Sequence, residues 1–266
     1  MSRARKNDGG ETVQSVTRAL FLLELLAEEA APLSLSELSQ KADLKMTTVH
    51  RLLTTLMSRG FVEQDNLSLR YQLGVKAFQI GNAALFVNDL RSIARPFLKE
   101  LLESVNETIN LAILEDTEVI YIDQIESTNI VIVKMFARIG SRGPAYCTGT
   151  GKVLLADLSD DVVRERFSKV NFVPFTENTV TDVNHLLKAL NQIRLDGYAL
   201  DFSERDSGVT CVAVPIKKFD GRVQAAISVS APAQRISTER IQQEILPVLK
   251  SAADNISQKL GFLSHR

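Results

Sequence analysis

Residues 44–62 hold three cations, Lys45, Arg51 and Arg59, together with His50, Thr47, Thr48 and Thr54, and no acid. Side chains of these types contact nucleic acid: a guanidinium pairs bidentately with a guanine edge, while hydroxyls and ammonium groups hold phosphate oxygens. A second set lies further along. Gly149-Thr150-Gly151-Lys152 stands ahead of the apolar run 153–158, which reads as helix, so backbone N–H groups at that helix start are placed to bind a carboxylate. Ser228 and Ser230, two apart in a strand-like run, point to one side. Enzymatic patterns are sparse. Tyr146 stands where a Walker motif ending at Lys152 needs Gly, and Val153 where it needs Ser or Thr. The chain has three histidines and neither an H-E-x-x-H nor a G-x-S-x-G pattern. Cys147 is the best nucleophile candidate, since a nearby helix N-terminus depresses a thiol pKa; a buried inert thiol is the other reading. A Cys147–Cys211 redox switch requires Cα atoms within about 7 Å. The two cysteines have no framework or metal spacing, and no metal or cofactor is expected.

The elements that position the basic set are legible. Ser34-Leu35-Ser36-Glu37 predicts a capping box that starts one short helix. After a turn around 42–45, Val49, Leu52, Leu53 and Leu56 fall at i, i+3, i+4 and i+7, a buried stripe with Thr47, Arg51, Thr54 and Ser58 opposite. Gly60 suits the left-handed position that ends such a helix, and thirteen residues make a rod of roughly 20 Å, long enough for a major groove. Upstream, Val16, Ala19, Leu20, Leu23, Leu26 and Ala27 form a helical stripe that covers the pair. Downstream, 61–64 and 69–73 predict two strands around an Asp65-Asn66 turn. Three helices and a hairpin make a winged helix-turn-helix, a DNA-binding unit or else a protein-binding one; a polar helix pair is also, in many proteins, only a solvated corner.

Composition leaves the positive charge to be placed locally. The formal charge is −1, and residues 1–75 carry nine Lys and Arg against nine Asp and Glu. Arg3, Arg5 and Lys6 in a polar tail over 1–12, Arg18, the reading helix and Arg70 on the wing are the candidate phosphate contacts. Glu24, Glu28 and Glu29 exclude a signal-peptide core, no apolar run approaches membrane length, and the expected compartment is the cytoplasm.

The expected organisation is a disordered tail over 1–12, a winged domain over 13–74, a linker helix over 75–90 and an α/β domain over 91–266. Ala77, Ile80, Gly81 and Ala84 put small residues on one side of the linker, beside Phe78 and Leu85; that face either pairs two chains or packs on its own domain. Pairing places two reading helices about 34 Å apart, matched to a palindromic or pseudo-palindromic site. Beyond the linker, 93–105 and 183–195 read as helix. Strands are expected at 108–114, 118–124, 130–136, 211–217 and 223–230, in a mostly antiparallel sheet. A last helix over 238–260 is expected to kink at Pro247.

From Val13 onward the chain resembles an IclR-family transcriptional regulator. The matching segments are VQSVTRALFLLELLA, TTVHRLLTTLMSRGFV, RYQLGVKAFQIG, IGSRGPAYCTGTGKVLLA, and GYALDFSERDSGVTCVAVPI followed by AAISVSAP. The resemblance implies an α+β protein: a winged helix-turn-helix, a linker helix and a GAF-like α/β effector domain, assembled as a homodimer or a dimer of dimers. It implies a repressor of a catabolic operon, with operator DNA and a small organic or sugar acid as partners and no membrane. IGSRGPAY and GKVLLA are most similar to the sugar-acid branch. It also implies effector contacts at Ile132, Met135, Gly149, Thr150, Asp201, Val209, Cys211, Ser228 and Ser230. The N–H groups of 149–150 and the two serines would take the carboxylate, Asp201 a hydroxyl, and Ile132, Met135 and Val209 the carbon skeleton. Plain core is the other reading of those three apolar residues, and a solvated loop that of Asp201, Glu204 and Asp206. Thr210 departs from the family, where Arg is common.

Overall fold

A computed structural model describes residues 13–29, 31–82, 85–127, 129 and 136–262, in two compact units that divide after Asn88. The first contains α1 (Gln14–Glu28), α2 (Leu35–Ala42), α3 (Met46–Ser58), β1 (Val62–Gln64), β2 (Tyr71–Leu73) and α4 (Val75–Asn82). The capping box forms as spelled: Ser34 N–H donates to Glu37 Oε2 at 2.7 Å, and Glu37 N–H donates to Ser34 Oγ at 3.3 Å. Asp43 ends α2 in the left-handed region at φ 50°, and Gly60 follows α3 at φ 74°. Leu33 bridges to Tyr71, so the wing hairpin is stitched to the start of α2. Leu22, Leu38, Val49 and Leu53 are fully buried and hold the three helices together.

Periodicity placed the α1 stripe only in part. Leu26 is buried and Leu23 packs against the core as expected, but Val16 and Leu20 are each 54 % exposed, and Leu22, outside the expected stripe, is fully buried. The helix is apolar on more than one side, so two overlapping stripes satisfy a 3.6 period and only docking on α2 and α3 selects between them. The span expected as one linker helix, 75–90, holds α4 and the beginning of α5 (Leu85–Val105), with 83 and 84 outside the described residues.

The second unit takes most of α5 and adds β3 (Thr108–Glu115), β4 (Glu118–Ile125), β5 (Arg142–Pro144), a 3-10 turn (Ala145–Cys147), α6 (Gly149–Ala156), α7 (Asp160–Phe167) and α8 (Val183–Asp196). It continues with β6 (Ala199–Phe202), β7 (Val209–Lys217), β8 (Val223–Pro232), α9 (Thr238–Arg240) and α10 (Leu246–Lys259). The sheet runs β5-β4-β3-β8-β7-β6, and each pairing among the described residues is antiparallel. The short edge strands β5 and β6 were not foreseen. Of the strand expected at 130–136, only Phe136 lies within the described residues.

The last helix is interrupted before Pro247. Residues Ile241–Ile245 form a π turn in which Leu246 N–H donates to Ile241 O, and α10 begins there with the proline in its first turn. A proline lacks an N–H and its ring crowds the preceding turn, so the irregularity falls on its N-terminal side. Glu107, buried, binds Arg235 at 2.6 Å and Arg240 at 2.9 Å and fixes this segment to the start of β3.

Candidate functional site

Cross-strand register assembles the second unit's site. Asp201 on β6 faces Cys211 on β7, which faces Ser230 on β8; one row along, Ala213 faces Ser228, which faces Asn110 on β3. Residues directly opposed in an antiparallel sheet share a face, so these groups form a polar patch on one side of it. Asn110 Nδ2 donates to Ser230 Oγ at 3.0 Å and Ser228 Oγ at 3.3 Å, and its Oδ1 accepts from Gln124 Nε2 at 2.8 Å. Ser230 in turn donates to Cys211 Sγ at 3.1 Å.

Helix α6 covers that patch. It starts at Gly149 rather than at Val153, because Thr148 serves as N-cap, its Oγ1 accepting from Gly151 N–H at 3.2 Å. Of the glycine-rich segment, therefore, the N–H groups of Gly149 and Thr150 stay uncapped while that of Gly151 is taken. Gly151 is needed sterically: a Cβ there would lie 2.3 Å from Ala145 O and 2.4 Å from Ala145 Cα. Both atoms are backbone and cannot rotate away. Gly151→Ala is therefore expected to lower the unfolding free energy by about 1–3 kcal/mol, read from the urea midpoint of the full chain; a wild-type midpoint would contradict the packing.

Between α6 and the sheet lies a pocket with about 410 Å³ of space free of atoms, its open mouth included. Seven of the nine expected effector residues line it: Gly149, Thr150, Asp201, Val209, Cys211, Ser228 and Ser230. Ile132 and Met135 lie outside the described residues. Sequence reading missed Tyr121, Phe136, Ala137, Thr148, Arg205 and Asp206, which complete the wall. Arg205 and Asp206 sit in a segment whose composition reads as loop, and no periodicity marks it.

The pocket's electrostatics come from burial. Asp201 is 4 % exposed, and desolvation pushes its carboxyl up to about 7, with Glu204 and Asp206 adding to the rise and Lys152 opposing it. Its Oδ1 accepts from Glu204 N–H at 2.8 Å. Neither Asp201 nor Glu204 belongs to a solvated loop, for Glu204 is paired with Lys152, whose Nζ also donates to Leu200 O at 2.7 Å. Asp206, partly exposed, accepts from Phe136 N–H at 2.8 Å. The Tyr121 phenol faces the Thr150 hydroxyl, which has no hydrogen bond of normal geometry among the described residues. Burial likewise lifts the Cys147 thiol to about 12 and the Cys211 thiol well above its usual range. The depressed Cys147 pKa expected from a nearby helix start is not found, since desolvation of a fully buried sulfur outweighs the helix N-terminus.

On the first unit, Lys45, Thr47, His50, Arg51, Thr54 and Arg59 are exposed on α3 and its ends, while Thr48 and Arg18 are half-buried. Among the described residues, Arg18, Lys45, Arg51 and Arg59 make no ion pair. Thr54 donates to His50 O at 2.9 Å, leaving only its lone pairs for a partner. Arg70 differs from expectation. Its Nη1 donates to Pro32 O at 2.8 Å and binds Glu37 Oε2 at 3.0 Å, tying the wing to α2 instead of standing free for phosphate. Ser34 holds the Glu37 carboxyl below the usual range, which keeps that partner charged.

A winged helix with an uncommitted basic face, followed by a unit whose sheet and helix enclose a polar pocket, defines a transcriptional regulator of the two-module kind. The first module, over residues 15–66, matches the IclR helix-turn-helix domain, and residues 82–258 match the family described as bacterial transcriptional regulator IclR C-terminal. The chain belongs to the IclR family. It is 37 % identical over 262 residues to the HTH-type transcriptional regulator KdgR of Escherichia coli (strain K12), covering 98 % of each chain. It is 37 % identical over 244 residues to the transcriptional repressor IclR of the same organism, covering 91 % of this chain and 88 % of that one. A crystal structure of an IclR homolog complexed with 4-hydroxybenzoate, from Microbacterium hydrocarbonoxydans, superposes with a TM-score of 0.82 at 26 % identity, covering 92 % of this chain and 98 % of that one.

Proposed function

We propose that this regulator represses a catabolic operon in the cytoplasm, binds its operator as a homodimer or dimer of dimers, and is controlled by a small organic or sugar acid. The observation that carries the DNA half is the exposed face of α3, where the Arg51 side chain makes no ion pair or hydrogen bond among the described residues and no acid neighbours it between Leu44 and Val62. Two such helices in successive major grooves read a two-fold-related site. Arg51 pairs with a guanine edge, Thr47, Thr48 and His50 contact bases or phosphates, and Arg18, Lys45 and Arg59 hold the backbone. For the other half, the uncapped N–H groups of Gly149 and Thr150 and the Ser228 hydroxyl take the acid's carboxylate, Asp201 takes a hydroxyl, and Val209 meets the carbon skeleton. The relative that holds 4-hydroxybenzoate supports an acid as ligand. Ligand changes operator affinity by binding two arrangements of the paired chains unequally. The raised thiol pKa values favour this reading over a cysteine enzyme or a redox sensor, because both chemistries run through a thiolate.

Arg51→Ala is expected to weaken binding to the protein's own promoter by about 1–3 kcal/mol, roughly 5- to 150-fold, and to relax base preference. Fluorescence anisotropy at one fixed salt concentration, against a scrambled duplex, reads both quantities. Equal losses on the two duplexes would remove Arg51 from base reading.

A further inference from the structure

Arg205 stands in the pocket wall with its guanidinium between two aromatic rings, 4.2 Å from the Phe136 centroid and 4.0 Å from that of Phe175. Stacking holds a guanidinium by its faces and leaves the in-plane N–H donors at its edge. Among the described residues those donors make no hydrogen bond. Nε is buried without a partner there, and Nη1 meets Asp206 Oδ1 only as an ion pair at 3.7 Å, beyond hydrogen-bond range. Asp206 is turned to the Phe136 backbone instead. The side chain is 20 % exposed, so most of this cation is withdrawn from water. A planar fork with unused donors matches a carboxylate bidentately, with direction as well as strength.

The start of α6, in the lining of the same pocket, offers a second anion-binding set. The uncapped N–H groups of Gly149 and Thr150 open α6, and the buried Thr150 hydroxyl, 2 % exposed as a residue, has no hydrogen bond of normal geometry among the described residues. Ser228 accepts from Asn110, and its own proton has no acceptor among the described residues. A monoacid satisfies one of the two sets and leaves the other's donors without an acceptor inside the pocket, which is unfavourable.

We propose, resting on the acid-effector reading above, that Arg205 makes this pocket selective for a diacid, with one carboxylate at the α6 start and Ser228 and the second on the Arg205 fork. The chemical class is a short aliphatic dicarboxylate or a sugar acid oxidised at both ends. The aromatic clamp fixes the fork in advance, so little rotamer freedom is lost when the second carboxylate arrives.

The test is calorimetry on the full chain with matched monoacid and diacid pairs of four to six carbons, butyrate with succinate through gluconate with glucarate. At least one diacid is expected to bind about tenfold to a hundredfold tighter than its monoacid, the range of a charge-assisted hydrogen-bonded contact. In Arg205→Gln that ratio should fall to near one. Arg205→Lys, which keeps the charge and loses the fork, should leave an intermediate ratio, and it serves if the Gln variant does not fold. Binding of both partners without preference in the wild type would overturn the proposal, as would a preference that survives Arg205→Gln. If no acid of the panel binds while operator binding is intact, the acid-effector reading itself fails, and the diacid proposal with it.

Discussion

Replacing Asp201 by Asn is expected to stabilise the second unit at pH 8 by up to about 4 kcal/mol and to leave its stability unchanged at the acid end of the titration. Burial lifts the folded-state carboxyl to about 7, against 3.8 for the free group. The folded protein therefore holds this proton more tightly than the unfolded chain does. As pH rises from about 4 to about 7 the unfolded chain ionises first, and stability is lost until the folded carboxyl also ionises; above that the loss is complete. Asparagine keeps the shape and can still accept the Glu204 N–H, so the variant omits the charge and little else. Urea unfolding at pH 5.5 and pH 8 measures it. The wild type should lose stability between the two values and the variant should lose much less; parallel behaviour would refute the burial argument. A carboxylate kept at that cost fits a group retained for a ligand hydroxyl, and the variant should respond weakly to any acid that stabilises the wild type.

Lys152→Met should destabilise the same unit by about 3–5 kcal/mol. The ammonium and the Glu204 carboxylate are 5 % and 11 % exposed, and Glu204 Oε2 already has no hydrogen-bond partner. Without Lys152 the carboxylate becomes a buried charge with no compensation, next to an Asp201 that loses a cation favouring its ionised form. Removing both charges should restore much of the loss, because the main penalty is the orphaned ion and not the absent attraction. Lys152→Met/Glu204→Gln is therefore expected to unfold at higher temperature than Lys152→Met alone. A single variant within about 1 kcal/mol of wild type would show that solvent reaches Glu204, contrary to its burial.

These two residues also show how far the chain could be read in advance. Lys152 was noticed only in the glycine-rich segment and as the lysine of a failed Walker motif, and Glu204 only as part of a loop; their pairing joins α6 to the segment after β6 and has no local signature. Arg70 was legible as a cation on the wing, yet Glu37 and the Pro32 carbonyl, contacts more than thirty residues away, decide what it binds. Cys147 had the right neighbour, a helix start, but burial overrode the dipole. Val16 and Leu20 were read as core because the helix is apolar on more than one side, and a hydrophobic period fixes spacing without fixing which side docks.

What the sequence determined by itself is local and periodic. The capping box at Ser34, the α3 stripe with its polar back, the stop at Gly60 and the alternation that sets Ser228 and Ser230 on one face all follow from interactions within a few residues, and each forms as spelled. Family wording supplied the pocket residues that no period reveals. Only the tertiary structure decided that Asp201, Cys211, Ser230, Ser228 and Asn110 lie side by side, because strand register is set by pairings as distant as Asn110 with Ser228. It also decided which charges are buried, and burial, a property of the assembled unit and not of any segment, gives Asp201 its raised pKa and Arg205 its unclaimed donors.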